Sequence, residues 1–561
     1  MEKYDVVIIG GGAGGLFAAN VIAAGGNKSI CVIEANARVG KKLSATGGGR
    51  CNLSNTGVMA GAYGNAAFAE YAVKTFDTDR IRKMFKDLGL LTKVEDGRVY
   101  PYSESAATVI DVLRGVFDEN NGIVLKTGYR VINIQKSSLY EQNDTLKRKN
   151  GEDCQNAGLN AVANVPIKER NFHRNKGAEF DIRKASGGRY SNAKTVHDGK
   201  AGAESGCMVT VGIGQGANAK TVHDGKAGAE SGYILTAAGD GQARVEIAAD
   251  KVILATGSPA GGGLDSSQLY VTLGHTAYRF VPGLAPLVTE RGLIKGLSGL
   301  RAYAEAEFEG ERERGEIQFR DFGVSGIAIF NLSAKAARRG INSGVLTIDF
   351  MPEYDVKTVK TLILTPNLDI FGILRRPIAE AVLRSARAAQ QLEKPNGEVC
   401  GGVPSVCGVH GDIRNNTNSD ARSDAYGDTN SGVRGDIYDD ICGDARGNVY
   451  GGVLEKNAQK TQAAALRADI EADAEAVARV IKGFKLTVTG GSDMSLAQTA
   501  NGGLNVNEFD DKTMQSRICK GLYAVGECLD TDAPCGGFNL HWAFASAATA
   551  AFDIIGKTVG E

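Results

Sequence analysis

The sequence lacks any apolar run long enough to cross a bilayer. Its longest candidates are strand-length, such as Val6 to Ile9, whereas a spanning helix needs roughly 18 apolar residues. It also lacks an excess of either charge, because 64 lysines and arginines face 65 aspartates and glutamates. This balance gives no reason to expect nucleic acid or an anionic membrane as a partner. We expect a small-molecule partner, and the composition leaves the oligomeric state open.

Cysteine is sparse, with ten residues in 561, and no two of them form a C-x-x-C pair. No cationic segment followed by a long apolar one precedes them, as a secretory signal would require. Such a chain does not carry a dense disulfide framework. We therefore expect a protein of the reducing cytoplasm.

Glycine, in contrast, is abundant, with 74 residues against a usual share of roughly 7%. The apolar strand Tyr4 to Ile9 runs into a glycine loop at 10–15. A helical segment from Leu16 to Ala24 and a second strand, Ser29 to Glu34, come next. This order predicts a βαβ unit. A later strand, Lys251 to Gly257, also ends in glycine, which is typical of parallel strands whose carboxyl ends face a ligand.

The glycine loop has the spacing of a dinucleotide-binding fingerprint. The first glycine permits a tight turn, the second lets backbone amides approach a pyrophosphate, and the third allows close helix–strand packing. The helix N-terminus adds positive potential for the phosphates, and an acid at the end of the next strand accepts hydrogen bonds from ribose hydroxyls. The predicted site residues of this motif are Gly10, Gly12, Ala13, Gly14, Gly15 and Glu34.

The choice between FAD and a nicotinamide dinucleotide depends on the C-terminal segment. Gly526 and Glu527 end an apolar strand. A glycine pair at 536–537 and an apolar helix from Leu540 to Ala551 follow. This arrangement resembles the distal FAD motif of two-dinucleotide-domain flavoproteins, in which an acid holds the ribityl chain and a helix N-terminus faces the flavin. Such a helix end stabilises the negative charge of a reduced flavin. An ordinary terminal helix with a glycine cap is the alternative.

A longer stretch, 41–55, contains Gly-Gly-Gly-Arg-Cys-Asn soon after the ribose-binding acid. It resembles the signature of the BaiN/YhiN-type (aminoacetone oxidase-like) FAD-dependent flavoproteins. The blocks 249–257, 315–326 and 521–543 agree with the same family and follow in the same order. The resemblance implies an α/β fold in which a split Rossmann-like FAD-binding domain carries an inserted domain with a β-barrel and helices. Short alternating runs between 269 and 350 also predict a small inserted β domain.

The resemblance further implies that Arg50, Asn52 and the loop before them line the cofactor. A glycine-rich loop that ends in arginine can bring amides and a guanidinium to a pyrophosphate. In the alternative interpretation Arg50 and Asn52 only fix that loop. The predicted cofactor is FAD, and the predicted contacts beyond the N-terminal fingerprint are Lys42, Gly47, Gly48, Gly49, Arg50, Cys51, Asn52, Val131, Ala255, Thr256, Gly257, Gly526, Glu527, Asp530, Gly537, Phe538, Asn539 and Leu540.

The chain is predicted to divide into seven segments, because two stretches have low hydrophobicity and are rich in polar residues. The first of them repeats 192–199 almost verbatim at 218–225. The segments are an FAD-binding part at 1–135, a low-complexity insertion at 136–231, a second FAD-binding part at 232–265, an inserted β-barrel and helical domain at 266–393, a Gly/Asp-rich insertion at 394–452, a further helical part at 453–485 and a third FAD-binding part at 486–561.

His541 is the one candidate for a catalytic proton donor, because the pKa of histidine lies near neutrality. It stands beside Trp542, where relatives commonly have glutamine, and a hydrogen-bonded structural role is the alternative. Cys528 and Cys535 are separated by six residues, unlike the close pairs of disulfide reductases, so small buried thiols are favoured over a flavin-linked dithiol.

Two other patterns are not expected to form sites. The glycines at 212–217 imitate a second fingerprint, but the Gly-rich sequence after them is a poor helix former. We therefore expect no separate NAD(P)H domain, and a nicotinamide donor that docks transiently. No metal is expected either, because the nearest approach to a cluster lacks the paired short spacings of a zinc site. Its members are Cys400, Cys407, His410 and Cys442.

These features predict an FAD-dependent oxidoreductase that acts on a small organic molecule. The resemblance favours NAD(P)H-dependent reduction of a conjugated ketone-like substrate by hydride transfer from the flavin. One alternative is an aminoketone oxidase that uses oxygen. Another is a flavin-bearing RNA-modifying or RNA-binding protein, against which the neutral charge and the lack of a basic stripe argue.

Overall fold

The computed structural model describes residues 1–118, 121–137, 232–239, 241, 243–366, 368–393, 473–491 and 493–557. The duplication at 192–225, the glycine pattern at 212–217 and the cysteines and histidine between 400 and 442 lie outside the described residues. The chain forms two compact units. Unit 1 comprises Met1–Val288, Val324–Gly344 and Val488–Glu561, and unit 2 comprises Thr289–Gly323 and Val345–Thr487.

Eighteen strands and twelve helices in the described residues position the features discussed below. The strands are β1 Glu2–Ile9, β2 Ile30–Glu34, β3 Ser54–Asn55, β4 Thr92–Glu95, β5 Arg98–Pro101, β6 Ile123–Thr127, β7 Arg130–Lys136, β8 Tyr233–Ala238, β9 Val245–Leu254, β10 Ala277–Gly283, β11 Leu287–Thr289, β12 Arg301–Phe308, β13 Glu311–Arg320, β14 Gly323–Ser325, β15 Gly344–Asp349, β16 Phe484–Gly491, β17 Thr499–Leu504 and β18 Leu522–Ala524. The helices are α1 Ala13–Ala24, α2 Lys41–Ala45, α3 Ala66–Thr75, α4 Thr78–Asp87, α5 Ala106–Arg114, α6 Ser267–Thr272, α7 Ile327–Arg338, α8 Val356–Leu364, α9 Ile370–Ile373, α10 Arg376–Glu393, α11 Ala474–Lys482 and α12 Phe538–Ile555.

The main sheet of unit 1 has seven strands in the order β6-β2-β1-β9-β8-β7, with β18 paired to β9. The strands β6, β2, β1, β9 and β18 run parallel to one another, whereas β8 pairs antiparallel with both β9 and β7. Ile9 lies opposite Ile33 on one side and Leu254 on the other. The carboxyl ends of β1, β2 and β9 therefore meet at one edge, where crevices of open parallel sheets bind ligands.

Two helices of unit 1, α1 and α12, are mostly apolar and largely buried, and they pack against each other. Helices of this composition belong in a protein interior. Phe17 of α1 lies 5.1 Å from Phe544 of α12, measured between ring centroids, and Phe85 lies 5.0 Å from Phe544. This aromatic cluster fixes the first and the last helix of the chain within one core.

The inserted β structure is a closed barrel in the order β11-β14-β13-β12-β15-β16. Buried and more exposed positions alternate in the second half of β12, as expected for a strand with one face on a core. Within unit 2, α11 packs against α8 and α10. The predicted α/β fold with an inserted barrel and helices is confirmed, and its two low-complexity insertions lie largely outside the described residues. The predicted segment boundaries stay a prediction.

No helix in the described part of the chain is both long and apolar enough to span a bilayer.

Candidate functional site

The glycine loop connects β1 to α1 at the edge where the three parallel strands end. The amide of Gly10 donates to the Ile33 carbonyl at 2.8 Å, and the amide of Ala255 donates to the Ile9 carbonyl at 2.9 Å. A Cβ atom on Gly15 would lie 1.9 Å from the Gly10 carbonyl oxygen, whereas one on Gly12 would meet no atom within 4 Å. Gly15 thus serves close packing inside the protein, and Gly12 borders an open space at the N-terminus of α1.

Glu34 reaches this loop from the end of β2. Its Oε2 accepts a hydrogen bond from the Gly11 amide at 2.8 Å. Its Oε1 accepts from the backbone and side-chain nitrogens of Asn36, at 2.7 and 2.5 Å. The side chain is buried. Because a carboxylate has about four acceptor positions, Glu34 keeps capacity for a ribose hydroxyl beside the open face of the loop.

The loop that contains the Gly-Gly-Gly-Arg-Cys-Asn sequence follows α2. Gly48 and Gly49 have positive φ angles, and a Cβ atom on either would meet nothing within 4 Å. Cys51 is fully buried, and this burial raises the pKa of its thiol to about 11. The thiol is therefore protonated at neutral pH. The open side of the loop, at Gly48 and Gly49, consists of backbone.

Arg50 has carboxylate partners within the protein. Its Nη2 lies 2.5 Å from Glu95 and its Nε 2.7 Å from Glu104, while the guanidinium carbon lies 4.1 Å above the ring of Tyr100. Lys93 binds both carboxylates as well. Hydrogen bonds to Glu95 and Glu104 raise the pKa of the guanidinium further above its usual range. These contacts favour the alternative in which Arg50 fixes the loop, and a direct contact with the pyrophosphate stays a prediction.

Glu527 joins three separate parts of unit 1. Its Oε2 accepts from Lys42 Nζ at 2.9 Å, and its Oε1 accepts from the Ala500 amide at 3.0 Å. Lys42 also donates to Ser258 Oγ at 3.0 Å. Asp530 also binds β17, because its Oδ1 accepts from the Gly502 amide at 3.1 Å. The two acids thereby connect the end of β18 to β17 and α2.

Helix α12 begins beside this segment. Its N-cap residue, Gly537, has φ 103° and supplies no side-chain cap. Asn539 does not cap it either: its side chain accepts from the Ala533 amide at 2.9 Å and donates to the Ala533 carbonyl at 2.8 Å. The Phe538 carbonyl accepts from the Tyr63 hydroxyl at 3.0 Å. The amides of the first turn thus have no side-chain cap at the N-cap position, which makes the end suited to a negatively charged or carbonyl group.

Five buried side chains on these segments carry a polar atom without a hydrogen-bond partner. Native proteins pair most such atoms, so an unpaired one indicates a place for a ligand or water. The atoms are Asn52 Oδ1, Thr499 Oγ1, Asn501 Oδ1, Thr531 Oγ1 and His541 Nε2. Thr499 Oγ1 and Asn501 Oδ1 face Gly283, where a Cβ atom would lie 3.0 and 2.9 Å from them. The fit of the site to the predicted dinucleotide therefore rests on Asn52 Oδ1, the open side of Gly12 and the uncapped α12.

The remaining predicted contacts lie nearby or face inward. Val131 is a buried residue of β7. Thr256 Oγ1 lies 2.5 Å from the Tyr270 hydroxyl, and Gly257, in the segment after β9, has φ 67°. Cys528 is fully buried, and burial raises the pKa of its thiol to about 12. All five cysteines in the described residues are free thiols, and four of them, including Cys528, are buried, whereas Cys535 is half-buried.

His541 lies in the interior, on α12. It is 0% exposed, and its Nδ1 lies 2.8 Å from Ser54 Oγ. Ser54 Oγ also lies 3.2 Å from Thr78 Oγ1, and Thr78 Oγ1 donates to the Asn55 carbonyl. Burial lowers the pKa of the imidazole to about 4. This geometry favours the structural alternative for His541 and gives no support to a proton donor at the flavin.

The buried imidazole is expected to make part of the stability depend on pH. In the unfolded chain the pKa returns to about 6.5, so between about pH 6.5 and 4 the unfolded state binds a proton that the folded state does not. The contribution of His541 to the free energy of unfolding is complete above about pH 6.5. It decreases by about 3 kcal/mol in total as the pH falls. Urea unfolding at a series of pH values, in the wild type and in His541→Gln, measures this difference. Equal slopes of unfolding free energy against pH in the two proteins would contradict it.

One ion pair of the site region was not predicted from the sequence. Arg338 on α7 donates to Asp532 Oδ2 through Nε at 2.9 Å and through Nη2 at 2.5 Å, and Asp532 is buried. The Asp532 carbonyl also accepts from the Gly64 amide. The acid lies within the motif that suggested a flavin, but nothing in the local pattern identifies a partner 194 residues away.

Comparison with known proteins gives the following similarities. A family model described as the HI0933-like protein Rossmann domain matches residues 4–159 and 218–553. The 3-dehydro-bile acid delta(4,6)-reductase of Clostridium scindens is 24% identical over 564 residues, which cover 96% of this chain and 96% of that protein. The ribosomal RNA dihydrouridine synthase of Escherichia coli is 32% identical over 83 residues, which cover 15% of this chain and 21% of that protein. Among solved structures, a variant of Escherichia coli quinol fumarate reductase aligns with a TM-score of 0.37 at 13% identity and covers 99% of this chain and 71% of its own.

Proposed function

This chain belongs to the HI0933-like family of Rossmann-domain proteins and is an FAD-dependent oxidoreductase, and from that premise we propose that it reduces a small molecule in which a carbon–carbon double bond is conjugated to a ketone. The proposed electron donor is NAD(P)H, docking transiently. We propose the cytoplasm as the compartment, because all five cysteines in the described residues are free thiols.

The length of one similarity carries the proposal. The bile-acid reductase matches over 96% of both chains, so the FAD-binding parts and the inserted domain are both included. Its name describes reduction of double bonds in a molecule that carries an oxo group. The similarity to the ribosomal RNA enzyme is limited to 15% of this chain. The formal net charge of -1 also argues against RNA, since phosphate binding depends on clustered cations.

The proposed roles of the residues follow from their contacts. The amides at the start of α1, next to the open face of Gly12, hold the pyrophosphate. Glu34, already bonded to the Gly11 amide, orients the ribose. Glu527, held by Lys42 and the Ala500 amide, orients the ribityl chain. When bound, FAD supplies the hydride chemistry, and the uncapped end of α12 stabilises negative charge on the pyrimidine ring.

Anaerobic spectroscopy tests the proposal. The purified protein is expected to show flavin absorbance that NADH or NADPH bleaches, and a 3-oxo-delta(4,6) bile acid is expected to restore the absorbance with loss of the substrate double bond. Bleaching by an aminoketone, with peroxide released on adding air, would assign the oxidase alternative instead. Reoxidation by a ribosomal RNA fragment, but not by the bile acid, would assign the RNA alternative. A protein that neither retains nor rebinds flavin would overturn the assignment altogether.

A further inference from the structure

Asn52 presents a buried hydrogen-bond acceptor without a donor. The residue is 8% exposed, and its Oδ1 has no hydrogen-bond partner. A buried acceptor in this state has lost its water without gaining a protein donor, which is unfavourable. Asn52 follows Gly48 and Gly49, where an added Cβ atom would meet nothing within 4 Å, and a Cβ atom on Gly47 would lie 3.7 Å from Asn52 Cβ. Its orphan oxygen therefore marks a point where a bound molecule would supply a donor.

Asn52 Oδ1 points towards Gly537. A Cβ atom on Gly537 would lie 2.8 Å from Asn52 Oδ1 and 2.4 Å from the Ser54 carbonyl oxygen. Gly537 also has φ 103° and is the N-cap of α12, an 18-residue helix. No side chain fits at this position, so the orphan acceptor lies directly against the helix end. The backbone donors of the first turn and one side-chain acceptor thus stand side by side.

This combination matches one edge of the flavin ring. The pyrimidine part of isoalloxazine has an acceptor, the C2 oxygen, next to a donor, the N3–H group. Backbone amides of the helix can donate to the C2 oxygen, and a neutral side-chain amide oxygen can accept from the N3–H group. Resting on the proposed function, in which FAD occupies this site, we propose that Asn52 Oδ1 accepts the hydrogen bond from flavin N3–H. Asn52 is then the residue that recognises the pyrimidine edge and sets the position of the ring on α12.

Comparison of FAD with 3-methyl-FAD tests this contact. The analogue carries a methyl group in place of the N3 hydrogen and so cannot donate there. Titration of the apoprotein, followed by flavin fluorescence, is expected to show that the wild type binds FAD at least about 10-fold more tightly than 3-methyl-FAD, the ratio for one lost hydrogen bond to a buried acceptor. In Asn52→Ala, which removes the acceptor and leaves room for the methyl group, the two flavins are expected to bind within about 3-fold of each other.

Asn55→Ala is the matched control. Asn55 lies on β3 close to Asn52, and its Nδ2 donates to the Gly536 carbonyl at 2.9 Å. It therefore supports the same helix end from the same segment but has its partner within the protein. Its removal is expected to weaken FAD and 3-methyl-FAD equally, so the wild-type ratio between them is retained. An 8-chloro analogue, altered at the opposite end of the ring, is expected to bind the wild type like FAD.

The outcomes separate this inference from the proposed function. Tight and equal binding of FAD and 3-methyl-FAD by the wild type would overturn the N3 contact and leave the flavoprotein assignment intact. Failure of all three flavins to bind would overturn the assignment itself. The wild-type ratio needs no variant, so poor folding of Asn52→Ala does not prevent the test. A ratio that persists in a folded Asn52→Ala protein would show that another group recognises N3.

Discussion

Replacing Gly12 with valine is expected to weaken FAD binding by about 100-fold while the apoprotein keeps its fold. The Gly12 backbone has φ -84° and ψ -168°, an extended conformation that any residue adopts. A Cβ atom there would meet no protein atom within 4 Å. The new side chain therefore occupies the space in front of the α1 amides, where the pyrophosphate is proposed to bind. Displacing one charge-assisted hydrogen bond costs about 3 kcal/mol, which corresponds to about 100-fold in affinity.

Gly292→Val is the control for the Gly12 variant. Gly292 is exposed and has no atom within 4 Å of its Cβ position, and it belongs to unit 2, whereas the glycine loop belongs to unit 1. Both apoproteins are expected to unfold in urea within about 1 kcal/mol of the wild type, the size of an N-cap effect. Flavin retention is expected to be normal in Gly292→Val alone. Normal FAD affinity in Gly12→Val would remove the phosphate-binding role from this loop.

The parts of the site that were predictable are those formed within a short stretch of chain. Gly10, Gly15 and Glu34 belong to one βαβ unit, so their spacing along the sequence already determines that they meet at the strand ends. The barrel was predictable for a similar reason, because alternation along a strand is a local property. The strand β15, Gly344–Asp349, lies within the region of short alternating runs between 269 and 350 that predicted this domain.

The parts that the sequence did not predict depend on distant partners. Arg50 meets Glu95, 45 residues away, and no local pattern distinguishes an arginine that binds phosphate from one that binds carboxylates. Arg338 and Asp532 meet only because α7 lies against the segment before α12. His541 was a candidate acid because of its type, whereas its role depends on burial, which the sequence does not state. Charges and hydrogen bonds between separate segments are therefore what the structure adds.

Gly15→Ala is expected to destabilise the apoprotein by about 3 kcal/mol. The added Cβ would lie 1.9 Å from the Gly10 carbonyl oxygen, 3.1 Å from the Gly10 carbonyl carbon and 3.2 Å from Ala255 Cβ. The obstacle is backbone and does not move by a change of rotamer. Relief requires α1 to shift away from the glycine turn, which disturbs its packing against α12. Strain of this kind in a close-packed interior costs about 1–3 kcal/mol or more.

Gly12→Ala separates the two effects of adding a methyl group to this loop. Both variants gain a Cβ atom, at positions three residues apart. Only the Cβ atom of Gly15→Ala would contact other protein atoms. Urea unfolding of the apoproteins is expected to show wild-type stability within about 1 kcal/mol for Gly12→Ala and a clear loss for Gly15→Ala. Saturating FAD stabilises any folded apoprotein that binds it by mass action, so it is expected to restore part of the stability of Gly15→Ala. Equal stability of the two apoproteins would show that α1 tolerates the displacement, and the fingerprint's third glycine would then have no packing role in this chain.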